Sequence, residues 1–260
     1  MCGIAGITGP AATPERVSKM VAALKRRGPD DQGLWSDESA ATALGHARLS
    51  IIDLSPAGHQ PMLSADGRYA IVFNGEIYNY QELRALLEKK GRRFRSHSDT
   101  EVILEAFAAW GCDAIRRLRG MFAFALLDRT TSTLLLARDR LGIKPLVYAE
   151  AQGSLVFASE LRALLASGLV SRQVDPEAVL DYLAVGSVFQ PRTMLASVKA
   201  LPPGCWMEVQ GAERRIRRYW DLHEATARRR EALRGLTFEE AVPLVRQALL
   251  EAARYSLVAD

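Results

Sequence analysis

The chain has 260 residues, 48% hydrophobic and 25% charged, with 34 Lys and Arg against 30 Asp and Glu for a formal net charge of +4. Such a composition suits one large globular domain, or a domain with a partial second one. No apolar run approaches the ~20 residues that span a bilayer, and the opening MCGIAGITGP lacks the basic and apolar regions of a secretory signal, which argues against a membrane or exported protein.

Residues 4–7 read as a short strand beginning almost at the terminus. Thr13 and Pro14 then open a helix on which Val17, Met20, Val21 and Leu24 recur at helical spacing. Further strands are expected at 47–52, 69–73, 121–127, 133–137, 146–148, 155–158 and 206–209. Helices are expected at 81–90, 99–110, 161–166 and 177–184, with Ser98 capping the second and Glu101 completing a capping box. The runs at 121–127 and 134–137 are apolar without alternation, the pattern of strands covered on both faces. Each face needs a packing partner, so a sheet should lie between another sheet and a helical layer, in a layered α+β domain. From about 211 the composition turns polar and arginine-rich, which reads as a linker over 211–236. Thr237 and Glu240 then open a last helix bearing Val242, Val245, Leu249, Ala252 and Leu257.

The cysteines, Cys2, Cys112 and Cys205, lack the spacing of a disulfide framework, which suits a reducing, cytoplasmic compartment. His46, His59, His97 and His223 form no ligand-spaced cluster with them, so no metal is expected, and His46 and His97 read as structural. The arginine runs at 116–119 and 213–234 lack interleaved aromatics and read as solvated faces, not as a nucleic-acid platform.

Removal of Met1 would leave Cys2 with a thiol and a free α-amine on one carbon. A chain-terminal amine has a reference pKa of about 7.7–8.0, so it can take the thiol proton near neutral pH and no histidine is needed. A cysteine at position 2 is equally compatible with an incidental residue. Asn74-Gly75-Glu76 follows the apolar run 70–73, so an amide and a backbone N–H emerge together as candidate oxyanion donors; as a dipeptide, Asn-Gly also reads as a hairpin turn. Arg48 and Asp99 are opposite in sign, as needed to hold the carboxylate and ammonium of an amino acid, or are an ordinary surface charge and a helix-start carboxylate.

Eight blocks carry a resemblance over essentially the whole chain: MCGIAGI at 1–7, RRGPD at 26–30, RLSIID at 48–53, NGEIYN at 74–79, SDTEV at 98–102, GMFAFA at 120–125, RDRLGIKPL at 138–146 and FASE at 157–160. In this order they resemble the class II glutamine amidotransferase domain of glutamine-hydrolysing asparagine synthetases. LPPG at 201–204 and the spacing from Cys2 to Asn74 are similar to that branch, not to the relatives that make glucosamine phosphate or phosphoribosylamine.

The resemblance implies an N-terminal-nucleophile hydrolase fold, an αββα sandwich of two antiparallel sheets between helical layers, over residues 1–210. It implies Cys2 as nucleophile, Asn74 and Gly75 as oxyanion donors, and Arg48, Leu49, Ser50, Ile51, Ile52, Glu76 and Asp99 as residues gripping glutamine. It also implies that 237–260 begin a synthetase domain otherwise absent from the chain, since no Ser-Gly-Gly-x-Asp-Ser pyrophosphatase loop occurs here. ATP and Mg would be bound only in that absent domain, and no cofactor is expected in this chain. The implied partners are glutamine and a synthetase domain or subunit, with a homo-oligomer open. Two other readings stay open: a non-catalytic glutamine-sensing or interaction module, and the amidotransferase half of a related ligase that does not make asparagine.

Overall fold

In the computed structural model, which describes residues 1–257, the apolar segments pair into two six-stranded sheets with every pairing antiparallel. The strands are β1 (Gly3–Thr8), β2 (Asp31–Asp37), β3 (Thr42–Arg48), β4 (Met62–Leu63), β5 (Tyr69–Ile77), β6 (Gly120–Asp128), β7 (Thr133–Arg138), β8 (Val147–Ala151), β9 (Ser154–Ala158), β10 (Val198–Ala200), β11 (Cys205–Gln210) and β12 (Glu213–Arg218). One sheet runs β10-β8-β9-β1-β3-β2 and the other β12-β11-β7-β6-β5-β4. The helices are α1 (Pro14–Ala23), α2 (Tyr80–Glu88), α3 (Asp99–Trp110), α4 (Ala114–Arg117), α5 (Leu161–Ala166), α6 (Pro176–Val185), α7 (Leu222–Ala232) and α8 (Phe238–Ser256).

The hydrophobic core divides into layers that follow from the double-sided burial of the central strands. Ile4, Leu44, Val72, Ala125, Leu136, Phe157 and Met207 fill the space between the sheets. The outer face of the second sheet buries Ile71, Phe73, Phe122 and Phe124 against Leu83, Leu87, Ile103 and Phe107 of α2 and α3. The outer face of the first buries Ala5, Ile7 and Val156 against Val17, Met20 and Leu24 beside α1 and Leu164 of α5. The order is helix, sheet, sheet, helix, the expected αββα sandwich.

Several elements differ from expectation. The strand placed at 47–52 ends at Arg48, because the next donors are claimed by side chains: the Leu49 N–H points at Cys2 Sγ, 3.4 Å, and the Ser50 N–H at Asp30 Oδ2, 2.8 Å. Asn74-Gly75 is not a turn. It lies inside β5, opposite Ala123 and Phe122 of β6, where a Cβ on Gly75 would stand 2.3 Å from the Met121 carbonyl oxygen; the glycine serves close packing, not a left-handed backbone.

Glu101 does not close a capping box. Its carboxylate accepts instead from the Arg95 and Ser96 N–H groups, at 2.9 and 2.7 Å, and ties down the loop ahead of α3. The box expected at Thr237 and Glu240 does form.

The stretch expected as a linker over 211–236 contains an edge strand, β12, and helix α7, and the sheets therefore continue past 210. Tyr219 completes that end by donating its hydroxyl to the Arg138 carbonyl, 2.9 Å. Beyond it, α8 meets α2 through the Tyr255 hydroxyl and Glu82, 2.8 Å. Residues 258–260, part of the expected 237–260 unit, lie outside the described residues.

Candidate active site

The cleft forms where the starts of β1 and α3 meet the ends of β3 and β5. Cys2 precedes β1 and is pinned from behind: Arg27 donates from Nε to the Cys2 carbonyl at 2.8 Å and from Nη1 to Glu160 at 3.0 Å. That return path needs glycine at 28, where a Cβ would fall 2.2 Å from the Ala47 carbonyl. The half-buried Cys2 thiol lies against Leu49, donating to its carbonyl at 3.3 Å. Burial pushes this thiol above its ordinary pKa; the Leu49 N–H, the Met1 amine and Arg48 pull the other way. A protonated resting thiol needs a base before it can attack.

Asn74 emerges from β5 on the same cleft. Its side chain is 1% exposed, and its Nδ2 is buried without a hydrogen-bond partner. A buried amide donor left unmade costs about 1–3 kcal/mol in an empty site, so its position needs a reason other than stability. Gly75 follows it along the cleft wall.

The charges lie further along. Asp99 opens α3 and accepts from the Ile77 N–H at 3.0 Å; burial pushes its pKa up to about 7, with the nearby Glu76 adding to the rise. Ser98 caps the same helix, its hydroxyl accepting from the Thr100 N–H at 3.1 Å. Replacing Ser98 with alanine is expected to cost about 1 kcal/mol of stability, read as a lower melting temperature, and to loosen Asp99.

Arg48 is buried and spends Nη1 on the Ser55 carbonyl, 3.1 Å, and Nη2 on the Asp53 carbonyl, with Gly58 packed against the guanidinium. It therefore shapes the loop after β3 as well as facing the cleft, and its remaining N–H groups and field are what a bound carboxylate would meet.

The cleft, about 470 Å³ including its open mouth, is lined by Cys2, Arg48, Leu49, Ile51, Ile52, Asn74, Gly75, Glu76 and Asp99, brought from separate parts of the sequence. Ser50 is not on its wall, since its N–H is turned toward Asp30. Sequence reasoning missed Gln60, Phe73, Thr100 and Lys144, which also line it. Gln60 bridges two walls, accepting from the Phe73 N–H at 2.6 Å and donating to Thr100 at 3.2 Å. Lys144 stands in the block 138–146 that carried the resemblance, the one signal that could have singled it out.

His46 is a strut. Its Nε2 meets the Phe73 carbonyl at 3.0 Å, tying β3 to β5 just before Asn74, and burial lowers its pKa to about 4, so it is neutral near neutral pH. Among the described residues no cluster of histidine, cysteine and carboxylates suits a metal, and no helix is long and apolar enough to cross a membrane.

With this geometry in hand, the comparisons are specific. The family model of the glutamine amidotransferase domain matches residues 1–220. The chain is 32% identical over 267 residues to asparagine synthetase [glutamine-hydrolyzing] 3 of Bacillus subtilis, covering 100% of this chain and 42% of that protein. It is 40% identical over 210 residues to asparagine synthetase [glutamine-hydrolyzing] 1 of the same organism, covering 78% of this chain and 33% of that one. The chain thus spans less than half the length of either relative. In fold it is similar to the glutamine phosphoribosylpyrophosphate amidotransferase of B. subtilis, with a TM-score of 0.66 at 20% identity, covering 84% of this chain and 49% of that structure. An αββα sandwich with a cysteine lining its cleft, matched by the family over the whole of both sheets, belongs to the glutamine amidotransferase domains.

Proposed function

We propose that the chain, once Met1 is removed, hydrolyses glutamine to glutamate and ammonia through a thioester on Cys2. The observation that carries this reading is the unpartnered buried donor of Asn74 in the same cleft as the Cys2 thiol and the buried carboxylate of Asp99. Each has a counterpart in glutamine: the carboxamide carbonyl for Asn74 and Gly75, the α-ammonium for Asp99 and Glu76, and the α-carboxylate for Arg48 and the loop 49–52.

The Cys2 α-amine takes the thiol proton, directly or through water, and the thiolate attacks the carboxamide carbon. The oxyanion that forms is held by Asn74 Nδ2 and the Gly75 N–H. Collapse breaks the carbon–nitrogen bond, and the amine returns its proton to the departing ammonia. Water, deprotonated by the same amine, then opens the γ-glutamyl thioester to glutamate and restores the thiol. The ammonia would pass to a synthetase domain or subunit that spends ATP with Mg to make asparagine from aspartate, as the names of the relatives suggest.

The direct test is ammonia release from glutamine by the processed protein, alone and then with a synthetase partner, ATP and aspartate. Absence of release from glutamine in both settings sinks the reading.

A pH signature accompanies it. Asp99 must be ionised to pair with an ammonium, and its pKa in the empty cleft is about 7. The KM for glutamine should therefore rise as pH falls through that value, approaching about tenfold per pH unit below it. A raised carboxylate pKa means the native state binds more protons than the unfolded chain between the ordinary Asp pKa, about 4, and that raised value. Stability should then fall as pH rises across that window, and Asp99→Asn should both weaken glutamine binding and flatten this loss. A KM independent of pH between about 5 and 8 would overturn the assignment of Asp99.

A further inference from the structure

Lys144 has no role in the chemistry above, yet the fold goes to some length to place it. The lysine lines the same cleft as Met1 and Cys2, and is only 5% exposed. Its backbone is fixed on both sides: the N–H donates to Asp139 Oδ2 at 2.9 Å and the carbonyl accepts from Arg138 Nε at 2.8 Å. Asp139 also gathers the Phe122, Leu141 and Ile143 N–H groups, and Arg138 the Gly142 and Leu201 carbonyls, so the turn that presents Lys144 is clamped from within.

Among the described residues no carboxylate stands within 4.0 Å of its ammonium. A lysine this enclosed would normally be paired, because burying a lone cation is costly. A cation without an ion-pair partner in the nucleophile's cleft acts on its neighbours through its field.

We propose that Lys144 is a positioning residue for the proton transfer: its positive charge keeps the Cys2 α-amine neutral at physiological pH, ready to accept the thiol proton. The inference rests on the Cys2 reading of the function. A like charge nearby disfavours the protonated amine, so the cation holds the base in its working form. After the amine takes the thiol proton, the same repulsion favours giving it up to the departing ammonia. Lys144 thus gains nothing from the proton itself; it sharpens a shuttle that both takes and returns one.

The other charges around the amine are accounted for. With Met1 in place the terminal amine is that of Met1, one residue ahead of the Cys2 nitrogen; burial lowers it below its ordinary pKa, Arg27 and Lys144 push the same way, and Cys2 and Asp30 oppose. Arg27 is committed to the Cys2 carbonyl and Glu160, and Asp30 to the Ser50 N–H. Arg48 and Asp99 act on the thiol with opposite signs, and Glu76 offsets part of the Lys144 charge from β5. Of the cations that bear on the amine, Lys144 is the one without a fixed carboxylate or carbonyl partner.

The test is the pH dependence of kcat at saturating glutamine in the processed protein, which separates the amine from Asp99 because Asp99 governs KM. In Lys144→Met the acid limb of kcat should move up by roughly one pH unit, leaving activity about tenfold lower at acidic pH and closer to the parent on the alkaline plateau. Lys144→Arg should restore the parent profile. An acid limb at the parent position in Lys144→Met, or one displaced equally by both substitutions, overturns the proposal. Thermal melts of both variants identify a folding defect, and Lys144→Gln offers a second neutral side chain with the same expected shift should methionine not be tolerated. Ammonia release persisting in Cys2→Ala would instead fault the underlying function, so the two failures are distinguishable.

Discussion

Cys2→Ala in the processed chain is expected to lower ammonia release from glutamine by at least about 10³-fold, with a change in folding stability of no more than about 1 kcal/mol. The size follows from the lack of a substitute. Neither Cys112, which is exposed, nor Cys205, which is buried in β11 beside Arg218, lines the cleft. Ser98 and Thr100 line the cleft, but the Ser98 hydroxyl caps α3 and that of Thr100 accepts from Gln60. The small effect on stability follows from size and exposure: a half-buried side chain loses one sulfur atom, while the main-chain bond to Arg27 is kept.

A companion variant that retains Met1 should be nearly as inactive with the thiol intact, since an amide nitrogen cannot take a proton. The pair separates the two halves of the proposed centre, sulfur and nitrogen. Full activity in the Met1-retaining protein would show that the base lies elsewhere.

How much of this could be read beforehand depends on where the physics was local. The strands β6 and β7 declare themselves because short apolar runs without alternation, bounded by turn residues, fit strands covered on both faces of a sheet. The αββα order follows from them. Helix α3 is legible from Ser98 and its acidic first turn.

By contrast, β2 is not expected as a strand and β12 is expected as linker, because both are edge strands and Arg215 and Arg217 of β12 are exposed, where polarity and not periodicity sets the sequence. The Asn74-Gly75 pair shows the same limit within the site. Local preference favours a turn, and only the Met121 carbonyl across the sheet explains why glycine is needed in a straight strand. Lys144 and Gln60 were not found from composition or spacing, because their access to the cleft is created by partners distant in sequence, such as Leu201 holding Arg138 and Phe73 meeting Gln60.

Asn74→Ala is expected to lower kcat by about 10²- to 10³-fold, or about 2.7–4 kcal/mol, while the KM for glutamine changes little. The reason is a difference between ground and transition states. In the resting cleft Asn74 Nδ2 has no partner, and a neutral carboxamide oxygen approaching it makes only an ordinary hydrogen bond. When the thiolate adds, that oxygen acquires nearly a full charge, and a fixed donor in a water-poor site is worth far more to it.

The same residue makes a stability forecast that a merely structural asparagine would not. Removing an unsatisfied buried donor relieves a desolvation cost, so the alanine variant should melt at or above the parent temperature. Gly75→Ala should behave differently: its Cβ would sit 2.3 Å from the Met121 carbonyl oxygen, forcing β5 from β6 and lowering stability and activity together. Loss of kcat with undiminished stability in Asn74→Ala marks a donor used only as the reaction proceeds, whereas a parallel fall in both, or an unchanged kcat, would remove Asn74 from the oxyanion site.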